Sequence, residues 1–318
     1  MKVLITGSSG ALGRIITEYL ISRKIFVAGL DIKDPADYYA EDKFRFHRCS
    51  VTDKERLKAI FEEEQPSHVV HFACSFNKVR SRRREYEIDV EGSANVLEVT
   101  NNTLSVKQLI YSSSAAIYGA HKDNKDWLGE SDRLQPERYR YGINKKLIEQ
   151  TYFSNHVRED LHIISLRICT VVGPTFDKPR SIVSLLIKFP FIPKFCQDSR
   201  LQFLHSDDFA SLFGNVLDDP GITGVYNLAP NDFVTVRELV PWKKFIGLPL
   251  FIVKGVLLIL WNLRLLNMQP AAVKTSIYPM VLDPSKIMEK YGYSFKFTSE
   301  EAFISTLNNN KLPPDSRF

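Results

Sequence analysis

The sequence predicts an α/β fold: a doubly wound parallel sheet, covered by helices on both faces, with a smaller C-terminal lobe. Short apolar segments alternate with stretches of helical periodicity over the first half of the chain, and such repetition is typical of a parallel sheet. A glycine-rich turn follows the first of these segments directly. Beyond residue 170 the alternation ends and prolines accumulate, at Pro174, Pro179, Pro190 and Pro193. These observations favour one sheet domain followed by a second lobe.

Six apolar segments predict the strands, and the amphipathic stretches between them predict the helices. The predicted strands are 2–6, 25–31, 44–50, 68–73, 106–112 and 161–168. The predicted helices are 11–23, 53–64, 85–101 and 138–157. The segment GVYNLA, 224–229, predicts a late strand that returns to the sheet. A strand that is buried on both faces reads as a continuous apolar run, which is why these segments favour parallel pairing.

The composition is that of an ordinary globular protein and narrows the class of partner. The 318-residue chain has 42 basic and 37 acidic residues, a net charge of +5, which is too small an excess to indicate a nucleic-acid partner. The cysteines are scattered without metal-ligand spacing, at Cys49, Cys74, Cys169 and Cys196. We therefore expect reduced thiols, no metal site and a cytoplasmic location. The opening MKVLITG predicts a strand rather than a signal peptide.

The segment FIGLPLFIVKGVLLILW, 245–261, is strongly apolar. It has 17 residues and contains Pro249, Lys254 and Gly255, whereas a membrane-spanning helix needs about 20 uninterrupted apolar residues. The segment therefore predicts a core or dimer-forming helix, with peripheral membrane contact as an alternative, and no integral membrane span.

The turn TGSSGALG, 6–13, joins the first predicted strand to the first predicted helix. Gly7 permits a tight turn, Gly10 lets the backbone approach a pyrophosphate, and the start of the helix supplies N–H groups and a positive dipole. Because the glycines lie between a strand and a helix, they predict nucleotide binding rather than a simple turn. We therefore assign 1–172, to which 200–230 return, to a dinucleotide-binding domain. The remainder, 173–199 and 231–318, is assigned to a substrate-binding lobe.

Asp31 ends the second predicted strand, 18 residues after Gly13. A carboxylate at this position accepts hydrogen bonds from the hydroxyls of an adenine ribose and repels a 2′-phosphate, so the sequence favours NAD over NADP. The basic Lys33, two residues later, is the one feature that keeps the preference for NAD over NADP from being settled.

Two further motifs offer hydroxyl and amino groups for chemistry. Three serines follow a predicted strand in YSSSAAIYG, 111–119, and Tyr141 and Lys145 lie four residues apart on one face of a predicted helix. A nearby ammonium stabilises a phenolate, which makes Tyr141 a candidate acid and base. A second pair with the same spacing, Tyr118 and Lys122, is interpreted as loop residues that match by chance.

TGSSGALG, SSSAAIYG and YGINK, in this order, resemble the extended short-chain dehydrogenase/reductase family, the NAD-dependent epimerase/dehydratase group that includes UDP-galactose 4-epimerase. Further similarity lies in HFA at 71–73, EGSANVLE at 91–98 and LQFLHSDDFA at 201–210. The resemblance implies a Rossmann-like fold, NAD as cofactor, and hydride and proton transfer at a secondary alcohol of a small-molecule substrate.

The resemblance also implies roles for individual residues. Ser114 would hold the reacting oxygen, Tyr141 would exchange its proton, and Lys145 would bind the nicotinamide ribose and tune Tyr141. The implied cofactor contacts are Gly7, Ser9, Gly10, Ala11, Leu12, Gly13, Asp31, Ser50, Val51, Phe72, Ala73, Ser112, Tyr141 and Lys145. Of these, Ser112 is interpreted as mainly structural. The implied substrate contacts are Ser113, Thr170 and Arg82.

Several positions depart from the family pattern. The 4,6-dehydratases place an Asp-Glu pair directly after the catalytic hydroxyl, where this chain has Ala115 and Ala116, which argues against that dehydration. The family's acidic adenine contact falls at Ser50. Its frequent asparagine before the EG turn is Asp89, which puts a carboxylate near the proton path.

The nucleotide-sugar signature of the family is also altered. Thr170 replaces a common asparagine. Leu201 replaces an arginine that binds pyrophosphate, with Arg200 beside it, and Val273 replaces a second, with Lys274 beside it. An anionic pyrophosphate normally needs such bidentate donors.

The basic run KVRSRRR, 78–84, has two interpretations. It either captures a phosphate in place of the missing arginines or forms a solvated loop, as charge runs usually do.

Three functions stay open from the sequence. The first is a nucleotide-sugar epimerase, and the second is a net dehydrogenase of a lipophilic, hydroxysteroid-like alcohol. The third is a non-catalytic NAD-sensing regulator, against which the intact Ser114, Tyr141 and Lys145 argue.

The resemblance further implies a homodimer, formed through the predicted helices 85–101 and 138–157. We expect Leu147, Ile148 and Tyr152 to supply its apolar surface.

Overall fold

A computed structural model describes residues 1–35, 41–76, 79, 81–155, 157–174, 186, 189–263, 265 and 270–308. These residues form two compact units. The first comprises Met1–Ser114, Asn144–Arg167 and Ala210–Tyr226. The second comprises Ala115–Ile143, the described part of Ile168–Phe209, and the described residues from Asn227 onward. Which of these segments bind substrate stays a prediction.

The chain forms thirteen strands within the described residues. They are β1 (Lys2–Thr6), β2 (Phe26–Asp31), β3 (Phe44–Arg48), β4 (His68–His71), β5 (Gln108–Ser114), β6 (His162–Ile168), β7 (Thr170–Val172), β8 (Phe191–Pro193), β9 (Arg200–Leu201), β10 (Phe203–His205), β11 (Gly224–Leu228), β12 (Val234–Thr235) and β13 (Lys244–Ile246).

Ten α-helices lie among the same residues. They are α1 (Ala11–Ser22), α2 (Lys54–Glu64), α3 (Arg82–Tyr86), α4 (Gly92–Asn102), α5 (Arg140–Ser154), α6 (Ser206–Asp218), α7 (Val236–Leu239), α8 (Leu250–Asn262), α9 (Ser285–Tyr291) and α10 (Ser299–Asn308). A π-helical turn, Glu87–Glu91, joins α3 to α4.

Seven strands form the central sheet, in the order β11-β6-β5-β4-β1-β2-β3. The pairs β1–β2, β1–β4, β2–β3 and β4–β5 are parallel. The strand order reverses at β1 and β4, and an open α/β sheet binds its ligands at such a point, beyond the carboxyl ends of the strands. The architecture confirms the predicted Rossmann-like, doubly wound parallel sheet.

Most predicted elements differ from the structure by a few residues at their ends, and three of these differences bear on the site. The predicted strand 68–73 ends at His71, and the predicted strand 106–112 is displaced to Gln108–Ser114, so that all three serines belong to the strand. The predicted helix 85–101 begins earlier, at Arg82, and is interrupted by the π-helical turn.

The core of the first unit lies between sheet and helices. Leu4, Val69 and Leu109 from the strands are fully buried, together with Phe61 of α2 and Val96 of α4. Burial of each such side chain contributes about 1.5–3 kcal/mol to folding, before the entropy cost of ordering it.

Helix α5 contributes two of its apolar side chains to this same core. Ile148 is 2% exposed and Tyr152 is 1% exposed, and both pack within the core of the first unit. The prediction that they supply a dimer surface is therefore wrong, because the helix turns them toward its own sheet. Leu147, the third residue of that prediction, is exposed.

A buried ion pair lies on the inner side of α5. Arg167 Nη2 of β6 donates to Glu149 Oε1 at 2.6 Å, and the Ser165 hydroxyl donates to Glu149 Oε2 at 2.6 Å. Glu149 and Arg167 are both 4% exposed. The pair therefore fixes α5 against the end of β6 through charges that water does not solvate.

The second unit is built on short strand pairs. β10 pairs with β7, β12 with β9 and β13 with β8. Its core includes Phe203 of β10 and Phe303 of α10, whose ring centroids lie 5.3 Å apart. Among the described residues, no helix is long and apolar enough to cross a membrane.

Candidate active site

The glycine loop between β1 and α1 has room for glycine alone at two positions. Gly7 has φ +74°, and a Cβ atom there would lie 2.7 Å from the backbone nitrogen of Ala73. A Cβ atom on Gly13 would lie 2.2 Å from the carbonyl oxygen of Gly7. The loop is therefore packed backbone against backbone at the point where the strand order reverses.

Helix α1 begins directly after this loop, with Gly10 as its N-cap. No side chain caps this helix and its first turn carries no acidic residue. The first N–H groups of a helix lack partners within the helix and carry partial positive charge. The start of α1 therefore fits an anionic ligand such as a pyrophosphate.

Asp31 lies at the end of β2, beside the glycine loop. Its Oδ2 accepts from the Ser9 amide at 3.1 Å, and its Oδ1 accepts from the Lys33 amide at 3.0 Å. Two backbone donors thus orient the carboxylate at the carboxyl edge of the sheet. The glycine cradle, the uncapped helix start and this carboxylate together fit the pyrophosphate and adenine ribose of NAD.

The three serines at the end of β5 differ in their surroundings. The Ser112 hydroxyl donates to the His71 carbonyl at 3.1 Å, which agrees with its interpretation as structural. Ser113 is 3% exposed, and its hydroxyl makes no hydrogen bond with any residue that the structure describes. Ser114 is half-buried and ends the strand, just before a 3₁₀ turn at Ala115–Ile117.

Lys145 of α5 is held at the end of the same strand. Its Nζ donates to the Ser112 carbonyl at 2.5 Å and lies 4.7 Å from the centroid of the Tyr111 ring. The side chain is 3% exposed. Burial lowers the pKa of Lys145, while the nearby ionisable groups of Cys74, Asp89 and Glu149 act in the opposite direction. An ammonium so placed can stabilise a neighbouring phenolate.

Tyr141 lies one turn before Lys145 on α5 and is half-buried. Its ring centroid is 5.8 Å from that of Tyr139. The next residue, Gly142, has no space for a side chain, because a Cβ atom there would lie 2.4 Å from the Ala116 carbonyl oxygen. The glycine of the Tyr-Gly pair therefore lets the start of α5 approach the backbone that follows the serines.

Tyr118 and Lys122 do not form a comparable pair. The Tyr118 hydroxyl lies 2.8 Å from Asn227 Oδ1 and 3.1 Å from the Gly129 carbonyl, and the side chain is 1% exposed. Lys122 is exposed. Tyr118 lies in the turn that follows the 3₁₀ turn, outside the helices and strands as predicted from the sequence, but its side chain is buried and structural in the second unit.

A buried hydrogen-bond chain centred on His71 was not predicted. His71 Nδ1 lies 2.6 Å from the Thr6 hydroxyl, and Nε2 lies 2.8 Å from the Ser93 hydroxyl. Because Ser93 donates to the Asp89 carbonyl, Nε2 must be the donor to Ser93, and Nδ1 accepts from Thr6. Burial, helped by the charge of Lys145, lowers the pKa of His71 to about 3, so the ring stays neutral. The sequence signal was the histidine of HFA at the end of a strand.

Asp89 lies on the π-helical turn and is 2% exposed. Its carboxylate accepts from the Ser75 amide at 2.6 Å, the Ser75 hydroxyl at 3.0 Å and Asn144 Nδ2 at 3.2 Å. A buried carboxylate needs such donors to offset its lost hydration. Its charge raises the pKa of Lys145, the residue after Asn144. That this carboxylate lies near a proton path stays a prediction.

The other predicted cofactor residues surround the same edge of the sheet. The Ala73 amide lies 3.4 Å from the Thr6 hydroxyl, and Phe72 precedes it, directly after β4. The Ser50 hydroxyl lies 2.8 Å from that of Thr52. Val51 packs against the start of α4, since a Cβ atom on Gly92 would lie 2.6 Å from Val51 Cγ2. Ala11 and Leu12 form the first turn of α1.

The predicted substrate residues are scattered among elements. Thr170 begins β7 and pairs in register with Phe203, and Arg82 begins α3 and is exposed. Of the basic run 78–84, Lys78 and Arg80 lie outside the described residues. Two later members of the run, Arg83 and Arg84, form ion pairs with Glu87 at 2.9 and 3.1 Å.

Arg200 and Lys274 stand next to the two positions where the resemblance implies arginines that bind pyrophosphate, and both form ion pairs. Arg200 Nη2 lies 2.8 Å from Asp126 Oδ1, and Lys274 contacts Glu137. Val273 is buried against α8.

One cluster of described residues, His47, Glu63 and Glu64, has ligand atoms within 4.8 Å of one another. The buried Glu64 carboxylate contacts His47 at 2.7 Å, Arg45 at 3.1 Å and Lys2 at 3.2 Å. Two permanent cations therefore already satisfy this carboxylate. We assign the cluster to ion pairing that joins β1, β3 and α2.

The strand order and the glycine loop define a dinucleotide-binding α/β protein. The model of the NAD dependent epimerase/dehydratase family matches residues 3–229. This match covers more than half of the chain, so the chain belongs to that family. It confirms the predicted family, which is described as NAD dependent.

Curated relatives share limited identity with the chain. Protein CapI of Staphylococcus aureus is 29% identical over 192 residues, 55% of this chain and 55% of the relative. A UDP-glucuronate 4-epimerase of Thermodesulfobacterium geofontis is 27% identical over 210 residues, 60% of this chain and 62% of the relative. These alignments therefore span a little over half the length of either relative.

Solved structures share the fold over nearly the whole chain. A UDP-glucose 4-epimerase of Thermotoga maritima with UDP-glucose has a TM-score of 0.76 at 22% identity, covering 97% of this chain and 98% of that one. The Bordetella bronchiseptica enzyme WbmG in complex with NAD has a TM-score of 0.76 at 21% identity, covering 97% and 93%.

Proposed function

We propose that the protein is an NAD-dependent epimerase acting at a secondary alcohol of a nucleotide sugar. The observation that carries the proposal is Lys145, a buried lysine held at the Ser112 carbonyl one helical turn after Tyr141. Buried ionisable groups cluster at functional sites, where burial and neighbouring charges adjust the pKa of a catalytic acid or base. Lys145 is such a group, at the sheet edge that carries the glycine loop. Relatives named as nucleotide-sugar epimerases support the reaction class.

NAD would be held by Gly7, Gly10, Gly13 and the start of α1 at its pyrophosphate and by Asp31 at its adenine ribose, and when bound it supplies reversible hydride transfer. The chain's own residues handle the proton. Tyr141 takes the hydroxyl proton as the alcohol is oxidised and returns it when the ketone is reduced. Lys145 stabilises the Tyr141 phenolate that receives this proton. Ser114 donates a hydrogen bond to the reacting oxygen.

Ser113 is a candidate substrate contact, because its buried hydroxyl has no partner among the described residues. A buried hydroxyl without a partner costs free energy, which a substrate hydroxyl or water would recover. Thr170 and Arg82 stay predictions for the same role.

A second function, net dehydrogenation of a lipophilic alcohol, has one observation in its favour. Leu201 and Val273 occupy the positions where the family resemblance implies arginines that bind pyrophosphate. The basic residues next to them in sequence, Arg200 and Lys274, form ion pairs with Asp126 and Glu137. A neutral, apolar substrate would not require either of them.

The purified protein with NAD and a panel of UDP- and dTDP-sugars tests the proposal. NMR of the sugar ring detects the epimer, with no net formation of NADH. Accumulation of NADH with lipophilic secondary alcohols, and no epimer from any sugar, would support the dehydrogenase instead. Failure of both reactions, with NAD bound, would favour a non-catalytic NAD-sensing protein.

The cofactor assignment has a separate test in Asp31. The chain should bind NAD more tightly than NADP, and Asp31→Ala should narrow the difference by about tenfold or more, since hydrogen bonds to a charged group contribute about 1.5–3 kcal/mol. Isothermal titration with both cofactors measures this. Equal affinities in the unaltered protein would remove the basis for choosing NAD.

The homodimer stays a proposal, but its apolar contact surface is smaller than the sequence predicts, because Ile148 and Tyr152 are buried. Leu147 and Phe153 of α5 and Tyr86 of α3 are the exposed large side chains of the helices involved. Light scattering at micromolar concentration measures the state. The cytoplasmic location also stays a prediction.

A further inference from the structure

Helix α8 exposes apolar side chains where a surface helix normally presents polar ones. Phe251 is 75% exposed, Leu258 is 51% exposed and Ile259 is 58% exposed. Ile252 and Val256 of the same helix, and Leu263 and Leu265 just after it, are also exposed. We call this set the α8 apolar face.

The opposite side of α8 is attached to the second unit. Leu257 is buried against Val273, and Leu250 and Val253 pack on the same cluster. At about 100° per residue, these inward positions and the exposed ones occupy opposite sides of the helix. The inward side therefore accounts for the packing of α8, and its apolar outward side has no role in the fold of the described chain.

The charged residues of the segment that carries this face have one sign along the sequence, although Lys274 is paired with Glu137 from outside the segment. The segment 239–282 contains no aspartate or glutamate but has Lys243, Lys244, Lys254, Arg264 and Lys274, of which Arg264 lies outside the described residues. The whole chain, by contrast, has 42 basic and 37 acidic residues. Lys244 and Lys254 are exposed. An apolar face flanked by cations complements a surface that is apolar inside and anionic at its rim.

We propose that α8 binds the surface of an anionic lipid bilayer, with its axis along the membrane and its apolar face among the acyl chains. The helix has 13 residues, about 20 Å at the rise of an α-helix, which is shorter than the hydrocarbon core of about 30 Å. It therefore lies on the membrane rather than across it. Lys244 and Lys254 contact lipid phosphates.

A second copy of the chain fits this face less well than a membrane does. Two such faces in contact would bring their own lysines together, with no acidic residue of 239–282 to neutralise them. Anionic headgroups neutralise them directly. The proposal does not depend on the reaction that the enzyme performs, and it is tested independently of that reaction.

The test is flotation of the full-length protein with vesicles of phosphatidylcholine alone or mixed with phosphatidylglycerol. We expect binding to the mixed vesicles, weaker binding to phosphatidylcholine, and a decrease with added salt, because exposed charges are screened. Phe251→Ser with Leu258→Ser should reduce binding by about tenfold or more, since two buried apolar side chains are lost. Lys244→Glu with Lys254→Glu should remove the preference for the anionic lipid.

Leu104→Ser provides the matched control, because Leu104 is also 75% exposed but lies far from α8 in sequence, in the first unit. It should leave vesicle binding unchanged. Circular dichroism and NAD titration check that every variant is folded.

Two results would overturn the proposal. One is equal binding of the unaltered protein and the Phe251 and Leu258 variant to mixed vesicles, or no binding by either. The other is a lipid-free dimer that this variant alone converts to monomer, which would assign the α8 apolar face to a second copy of the chain.

Discussion

Helices α5 and α8 place their residues in opposite ways. Helix α5 carries a lysine and a glutamate into the interior, where Lys145 is 3% exposed and Glu149 is 4% exposed. Helix α8 carries Phe251 outward, where it is 75% exposed. Each arrangement costs folding free energy, because charge loses hydration inside and apolar surface orders water outside. Glu149 is compensated inside the chain by Arg167, whereas Lys145 and Phe251 lie where we propose a ligand and a membrane.

The largest expected effect concerns Tyr141 of α5. Tyr141→Phe should reduce kcat by about 10²–10⁴-fold, because general acid–base catalysis contributes this much, while NAD affinity changes little. Tyr139→Phe is the matched control, since its ring lies beside that of Tyr141 in the same segment. Steady-state kinetics and NAD titration give the two readings. A greater loss in the Tyr139 variant would mean that the wrong tyrosine has been assigned.

The next effect concerns the stability of the folded protein. It compares the loss of a buried charge, at Glu149, with the loss of an exposed one, at Lys254. Glu149→Leu should lower the free energy of unfolding by about 3–5 kcal/mol, because it leaves the Arg167 guanidinium buried without its partner. Lys254→Gln on α8 should change it by less than about 0.5 kcal/mol, since that side chain is exposed. Urea unfolding measures both. Similar values for the two variants would show that the interior of α5 is more hydrated than its burial indicates.

Two glycines sharpen the comparison further. Gly142→Ala on α5 should destabilise the protein by about 1–3 kcal/mol, since its Cβ atom would clash with the Ala116 carbonyl. Gly255→Ala on α8 should stabilise it by about 1 kcal/mol, because no described atom beyond the neighbouring residues and the helix's own backbone lies within 4 Å of the added Cβ, and alanine favours the helix. Thermal unfolding should therefore move in opposite directions for the same substitution.

The smallest expected effect is a shift in pH dependence at Asp89. The Asp89 carboxylate raises the pKa of Lys145, so Asp89→Asn should lower it and make Lys145 lose its charge at a lower pH. The alkaline limb of the kcat profile should therefore move to lower pH. Asp160→Asn, at an exposed carboxylate, is the control and should leave the profile in place. A shift toward higher pH would contradict the assigned electrostatics.

The sheet and the glycine loop could be predicted from the sequence because their signals are local. Apolar runs alternate with helical periods, and Gly7, Gly10 and Gly13 stand at fixed offsets after the first strand. The displacement of β5 could not be predicted, because serines have no strong strand preference and their pairing with β4 decides the register. The burial of Tyr118 could not be predicted for a similar reason, since its partner Asn227 is distant in sequence.

The interruption between α3 and α4 illustrates the same limit. The sequence predicts one helix over 85–101, and the π-helical turn arises where Asp89 reaches Ser75 and Asn144. Neither partner is close to Asp89 along the chain. The faces of α5 depend on tertiary contacts as well, which is why Ile148 and Tyr152 were predicted outside and lie inside.

The anchor of Lys145 has a consequence for how the chain tolerates mutation. Its acceptor is the main-chain carbonyl of residue 112, and every amino acid supplies that carbonyl. Deep mutational scanning under selection for activity should therefore find position 145 restricted to lysine, while position 112 accepts several small residues. The side chains of β5 can therefore change during evolution without displacing the Lys145 amino group, because a main-chain carbonyl holds it rather than a side chain.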